Sequence, residues 1–113
     1  MSENEEAVAE KIQAMLEVMW KNSAATVAER VSVVRQAQQK LAQGTLDNAV
    51  RKEAESAAHK LAGILGTFGL PQGSALASKI ERLLAREGAI SKHQEQELTS
   101  WLNDLEGQIA AKG

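Results

Sequence analysis

The sequence predicts an all-α protein, an antiparallel up-down four-helix bundle with one additional helix at its N-terminal end. Apolar residues recur at three- and four-residue spacings along the 113-residue chain, and no stretch shows the alternation of a β-strand. Only 3% of the residues are aromatic whereas 43% are hydrophobic, so aliphatic side chains must fill the core. The breaks between the apolar stripes are short, and short connections favour antiparallel neighbouring helices.

Two helices are predicted before Gly44. Ser2 and Glu5 have the spacing of a capping box, and apolar residues then recur at helical spacing, so a first helix is expected over about residues 4–20. The polar residues 21–23 are interpreted as a turn that supplies the next N-cap. A second helix, with valine and alanine along one face, is expected to end near Gln43.

Three further helices are predicted in the remainder of the chain. Asp47 is a candidate N-cap for a long helix that ends near Phe68, and Pro71 suits the first turn of the helix that follows. That helix is expected to end at Gly88. Ser91 has a glutamine three residues later, as in a capping box, so the last helix is expected to begin there and to continue nearly to the C-terminus.

Composition limits the class of protein. The length suits one domain, residues 1–113, with a single core. A net charge of −2 argues against a nucleic-acid binder, and the lack of cysteine excludes disulfides and thiolate metal sites. No apolar run is long enough to span a membrane, and the acidic N-terminal segment does not resemble a secretory signal, so a cytoplasmic protein without membrane insertion is expected.

The helix that ends near Phe68 carries the candidate functional residues. Its apolar residues form one stripe, whereas His59 points to nearly the opposite side, with Gly63 one turn later on the same outward face and Gly66 close by. A glycine inside a helix costs about 1 kcal/mol relative to alanine. A helix-ending role could explain Gly66, but Gly63 comes too early for it, so the close approach of another molecule is the expected reason for Gly63.

The run AHKLAGILGTFGL, residues 58–70, followed by PQGSALASKIE, resembles the signature of histidine-containing phosphotransfer (HPt) domains. These four-helix modules carry phosphoryl groups between proteins of two-component phosphorelays, and the specific match covers about residues 53–84. The resemblance implies that His59 accepts a phosphoryl group from a sensor histidine kinase or from the aspartate of a receiver domain, and passes it to another receiver domain. It implies no autonomous kinase activity, and it fits a domain excised from a larger signalling protein.

The resemblance also implies a partner for the histidine ring. Glu81 follows His59 by the interval at which HPt domains place Glu or Gln beside the histidine, so Glu81 is expected to accept the Nδ1 proton and to leave Nε2 for the phosphoryl group. The structural alternative is that Glu81 is only an exposed ion-pair partner of Arg82 or Lys60. In the functional interpretation, Lys60 helps to neutralise the phosphoryl oxygens.

A docking surface for the partner is expected around His59. Ala62 replaces a lysine that is common in the family, which leaves the electrostatic help to Lys60, to Lys52 or to the partner. Small residues would let the active-site loops of a receiver domain approach, and that domain would supply the aspartate and the Mg²⁺, so no intrinsic cofactor is expected. The expected docking residues are Lys52, Glu55, Ala62, Gly63 and Gly66.

Two other interpretations are open. A non-catalytic helical interaction module would dock a receiver-like partner through the same face without phosphoryl transfer. A carboxylate–histidine metalloprotein is suggested by Glu55 and His59, which share a helix face, but the paired Glu-x-x-His motifs of that fold are absent, so no metal site is predicted. His93 is interpreted as an exposed polar residue.

Overall fold

A computed structural model describes residues 2–113 and contains four α-helices in that part of the chain, without a β-strand. Neighbouring helices pack in chain order, and the first also packs against the last, so the four form a closed up-down bundle. The prediction of an all-α fold is therefore confirmed. The helices are α1 (Glu3–Ala42), α2 (Asn48–Thr67), α3 (Pro71–Ala85) and α4 (Lys92–Lys112).

The prediction of a separate N-terminal helix is wrong, because α1 passes through residues 21–23 without a break. This segment contains neither glycine nor proline, the two residues that most strongly interrupt a helix. The Ser23 hydroxyl donates to the carbonyl of Met19, one turn earlier, at 2.8 Å. Its hydrogen-bonding capacity is thus satisfied inside the helix, and it does not cap a new one.

The length of α1 gives the molecule its elongated shape. A helix of 40 residues extends for about 60 Å, and the molecule measures 58 × 22 × 21 Å. Residues 3–19, here called the N-terminal arm, contain no buried residue. Trp20 is the first buried residue of α1 and packs edge-on against Phe68, with 5.4 Å between the ring centroids. The arm therefore extends beyond the end of the bundle that this aromatic pair closes.

The core is aliphatic, as the composition predicts. Within residues 2–113 no polar or charged side chain is classed as buried. Burying one large aliphatic side chain stabilises the fold by about 1.5–3 kcal/mol, so packing of this kind supplies most of the driving force. The largest fully buried side chains are Val27, Val34, Leu61, Leu65, Ile80, Leu98, Leu102 and Leu105.

The helix ends follow the local signals of the sequence. Capping boxes begin α1 at Ser2 and α4 at Ser91, and the Asp47 side chain caps α2 by accepting from the backbone N–H of Val50 at 2.8 Å. Pro71 is the first residue of α3, as predicted, and α3 ends at Ala85, slightly before the expected glycine. None of the helices in residues 2–113 is long and apolar enough to cross a lipid bilayer.

Candidate functional site

His59 lies on the outward face of α2. The preceding residue, Ala58, and Leu61, two residues after the histidine, are completely buried, whereas the imidazole side chain is 74% exposed. Because the apolar stripe of α2 is fixed against the core, the direction of the histidine is fixed as well. The ring therefore stands on a rigid helix and is accessible to a second molecule.

Glu81, on α3, holds one side of that ring. Its Oε2 lies 2.9 Å and its Oε1 lies 3.1 Å from the Nδ1 of His59. The Glu81 side chain is only 27% exposed, because the preceding residue, Ile80, is fully buried and turns this part of α3 toward the bundle. The contact is thus set by the packing of α3 against α2.

The tautomer of the neutral ring follows from its partner. A carboxylate carries no hydrogen to donate, so in this contact Nδ1–H of His59 is the donor and Glu81 is the acceptor. Nε2 then carries a lone pair and points away from Glu81. Among the described residues, Glu81 pairs with His59 and forms no ion pair with Lys60 or Arg82.

Next to the histidine, the surface of α2 lacks side chains at two positions, Gly63 and Gly66. A Cβ atom added at Gly63 would meet no heavy atom within 4 Å, so no packing inside this chain requires a glycine there. A Cβ added at Gly66 would lie 3.5 Å from the Ser74 Oγ, which is an ordinary contact. Gly66 lies inside α2, and the left-handed residue that follows the helix is Gly69, with φ +74°.

The remaining candidates surround His59 without bonding to it. Lys52 and Lys60 are exposed, whereas Glu55 and Ala62 are partly buried. Within residues 2–113, no hydrogen bond or ion pair joins either lysine to His59 or Glu81. Lys52 and Glu55 line a groove between the start of α2 and the end of α3. The structure therefore pairs one carboxylate with the histidine and leaves the two ammonium groups in solvent.

Two residues that were not singled out from the sequence tie α3 to α2 on either side of this pair. The Ser74 hydroxyl donates to the carbonyl of Ala62 at 2.7 Å. The Arg51 guanidinium donates at 2.9 Å to the carbonyl of Leu84, in the last turn of α3, and to two carbonyls just after the helix, those of Arg86 and, at 2.7 Å, Gly88. The two contacts fix the position of α3 along α2, and hence the separation of His59 and Glu81.

Metal-binding geometry is absent from the part of the chain that the structure describes. Residues 2–113 contain no group of three or more His, Asp or Glu side chains placed to hold an ion. The second histidine, His93, is 82% exposed, and its Nε2 lies 3.5 Å from the Oε1 of Glu97 on the same helix. Its environment is that of a solvated surface residue.

A helical bundle that presents one exposed histidine beside a carboxylate is the arrangement expected of a histidine phosphocarrier module. The family model of the Hpt domain matches residues 14–110, and the chain belongs to this family. Comparison with curated proteins and with solved structures gave no match. Hpt domains are phosphocarrier modules, not generally kinases, and membership implies phosphotransfer in two-component signalling, with receiver domains as the class of partner.

Proposed function

We propose that this chain is a phosphorelay intermediate in which His59 receives a phosphoryl group on Nε2 and passes it to a receiver domain. The observation that carries the proposal is the pairing of Nδ1 with Glu81 at 2.9 Å on a histidine whose side chain is 74% exposed. In the neutral ring this arrangement places the proton on Nδ1 and leaves the lone pair of the exposed Nε2 available for attack. His93 is a contrast, because its contact with Glu97 is longer, at 3.5 Å, and both residues lie on the surface of the same helix.

In the proposed transfer step, the bond that forms and the bond that breaks involve only His59 and the phosphoaspartate, without a cofactor on this chain. The Nε2 lone pair of His59 attacks the phosphorus of a phosphoaspartate in line, so a P–N bond forms while the P–O bond to the aspartate breaks and its carboxylate leaves. The imidazole becomes positively charged as the bond forms, and the Glu81 carboxylate stabilises that charge through Nδ1–H. Transfer to a second receiver domain is the same step in reverse. A sensor histidine kinase is the other proposed donor.

The surroundings of the histidine supply access and charge. In the proposed complex, Ala62, Gly63 and Gly66 let the active-site loops of the receiver domain approach α2, and Glu55 lies at the edge of the contact. Lys60 and Lys52 are the cations that this chain offers to the phosphoryl oxygens. The receiver domain supplies the aspartate and the Mg²⁺, which carry most of the stabilisation of the transition state.

The decisive experiment follows the phosphoryl group from a labelled phosphodonor. A panel of receiver domains, phosphorylated on aspartate in the presence of Mg²⁺, is incubated with this protein and with two variants, His59→Gln and His93→Gln. We expect acid-labile, base-stable label on the unmodified protein and on His93→Gln, and none on His59→Gln. Peptide mapping by mass spectrometry then locates the label.

Two outcomes would contradict the proposal. Equal labelling of His59→Gln would show that another residue is the acceptor. Saturable binding of a receiver domain without phosphohistidine, from any donor in the panel, would favour the non-catalytic interaction module. A matched binding measurement by titration calorimetry for each receiver domain separates that module from a simple lack of the correct partner in the panel.

A further inference from the structure

The N-terminal arm exposes an apolar surface that no part of the bundle covers. Five large hydrophobic side chains on it are 48% to 62% exposed, and within residues 2–113 all the large hydrophobic side chains recorded as exposed are on this segment. Exposed apolar residues that cluster in this way mark an interaction site more often than scattered ones do. They are Val8, Ile12, Met15, Val18 and Met19.

Their spacing is that of a helix that packs against another helix. Val8, Ile12, Met15 and Met19 follow one another at intervals of four, three and four residues, which is a heptad pattern. At about 100° per residue these four lie on one side of α1 and are here called the stripe. Four glutamates lie on the opposite side and are exposed: Glu3, Glu6, Glu10 and Glu17.

We propose that the arm packs against the arm of a second copy of this chain, in antiparallel orientation, to form a homodimer. Orientation follows from the shape of α1. Met19 and Ala37 are five helical turns apart and therefore face the same side, and Ala37 is completely buried in the bundle. If a second α1 packed on the stripe in parallel orientation, its continuation beyond residue 19 would overlap the bundle of the first copy. In antiparallel orientation, that continuation extends away from the bundle.

The placement of charge favours a second copy over a partner with a basic helix. Glu3, Glu6, Glu10 and Glu17 point away from the stripe, so they would not meet charges on a helix packed against it. Glu5 lies on the stripe side, before Val8, and its carboxylate accepts from the backbone N–H of Ser2 in the capping box. In a pair of arms the two acidic faces would lie on the outer sides, about 20 Å apart, and salt screens exposed charges beyond about 8–10 Å. The stripe itself offers only apolar side chains, and an identical stripe is its simplest complement.

The apolar area sets the expected strength. If each of the four stripe side chains, and Val18 at the margin beside Met15, exposes on the order of 100 Å², two arms bury about 1,000 Å² together, which is at the lower limit of specific interfaces. A weak dimer that dissociates on dilution is therefore expected. The stripe does not include His59 or Glu81, so the inference is independent of the proposed phosphoryl transfer.

Sedimentation equilibrium over a range of concentrations tests the proposal. The chain has a mass of 12.2 kDa, and we expect its apparent mass to rise toward twice that value as the concentration increases. Ile12→Glu places a charge in the middle of the stripe and should weaken dimerisation by about tenfold or more. Gln13→Glu is the matched control, because Gln13 is exposed on another side of the arm and should leave the dimer unchanged.

Spin labels on a Met19→Cys variant test the orientation, since the natural chain has no cysteine. In an antiparallel pair centred near Ile12, the two labels would be about 20 Å or more apart along the axis, whereas a parallel pair would bring them to about 10 Å. A short distance would overturn the orientation. A mass of 12.2 kDa at every concentration, or a dimer that Ile12→Glu does not weaken, would overturn the proposal itself.

Discussion

The inner and outer faces of α2 differ sharply in their contacts with the rest of the molecule. Ala58 is completely buried and His59, the next residue, has a side chain that is 74% exposed. On the inner face, contacts within the chain explain the residues that are present. On the outer face, the chain itself makes few contacts, so the residues there must be explained by something outside it.

Gly73 and Gly63 illustrate the difference between the inner and outer faces. A Cβ added at Gly73, on α3, would lie 3.2 Å from a methyl carbon of Leu65, so close packing of α3 on α2 accounts for that glycine. A Cβ added at Gly63 would meet nothing within 4 Å. A helical glycine costs about 1 kcal/mol relative to alanine, so Gly63 lowers the stability of α2. No contact within the chain offsets that loss. The comparison predicts that inner-face changes alter stability and outer-face changes alter transfer.

Leu61→Ala should produce the largest effect on stability. Leu61 is completely buried, and removing its side chain leaves a cavity, so the free energy of unfolding should fall by about 2–5 kcal/mol. Urea denaturation followed by circular dichroism measures it. Ser56→Ala, at an exposed position of the same helix, should change it by less than about 0.5 kcal/mol. Equal losses in the two variants would remove the distinction between the faces.

Gly63→Gln should produce the opposite result. The side chain has room in the free protein, so stability should stay the same or rise by about 0.5 kcal/mol. It would obstruct a receiver domain, and the rate of phosphoryl transfer to His59 should fall by about 100-fold, as judged from the cost of displacing reacting groups. Rapid-quench measurement with a labelled receiver domain gives the rate.

Gly107→Gln is the matched control for that experiment. Gly107 is also an exposed glycine inside a helix, on α4, and a Cβ added there meets nothing within 4 Å. The control should transfer at the rate of the unmodified protein. If Gly63→Gln transferred equally fast, close approach would no longer explain the glycine.

Local signals in the sequence predicted most of the fold. The caps at Ser2, Asp47 and Ser91 form between residues three apart, so they depend little on the rest of the chain. The break predicted at residues 21–23 failed for a physical reason. The three polar residues were interpreted as a turn with an N-cap, but polar residues also suit the exposed face of a helix, and the Ser23 hydroxyl bonds the Met19 carbonyl within α1.

The candidate site was less predictable. The periodicity of α2 alone predicts that His59 faces outward. The pairing of His59 with Glu81 was predicted only from the family resemblance. Nothing local predicts the contacts of Ser74 and Arg51, because both join α2 to α3 and depend on how closely the two helices approach. The separation of α2 and α3 depends on the packing of the whole bundle, and Gly73 lets α3 come close to Leu65 on α2.

Glu81→Ala should reduce transfer by less than the change at Gly63. The variant removes the acceptor for Nδ1–H, and a hydrogen bond to a charged group contributes about 1.5–3 kcal/mol. Because water can replace the carboxylate as acceptor at this exposed ring, the lower end of that range applies, and a loss of about tenfold in rate is expected. Glu81→Gln retains an acceptor oxygen and should lose less. Nitrogen NMR of the imidazole should show a mixture of tautomers in the alanine variant.

Glu97 provides the control for that change. Its carboxylate lies 3.5 Å from the second histidine, His93, in a similar pairing on the surface of α4. Glu97→Ala should leave transfer to His59 unchanged. Full activity of Glu81→Ala would show that the carboxylate neither orients the ring nor stabilises its charge.

Ser74→Ala should have the smallest effect, and it tests whether the two faces of α2 are coupled. The variant loses the hydrogen bond from Ser74 to the Ala62 carbonyl, so the free energy of unfolding should fall by about 1 kcal/mol. As a positioning residue, Ser74 should also influence the ring: transfer should slow by about two- to threefold, and the Nδ1 signal of His59 should shift toward that in Glu81→Ala. Ser100→Ala, at an exposed position on α4, should change none of these quantities. A loss of stability with an unchanged Nδ1 signal would make Ser74 a structural residue only, and would leave Arg51 as the contact that keeps the carboxylate in place.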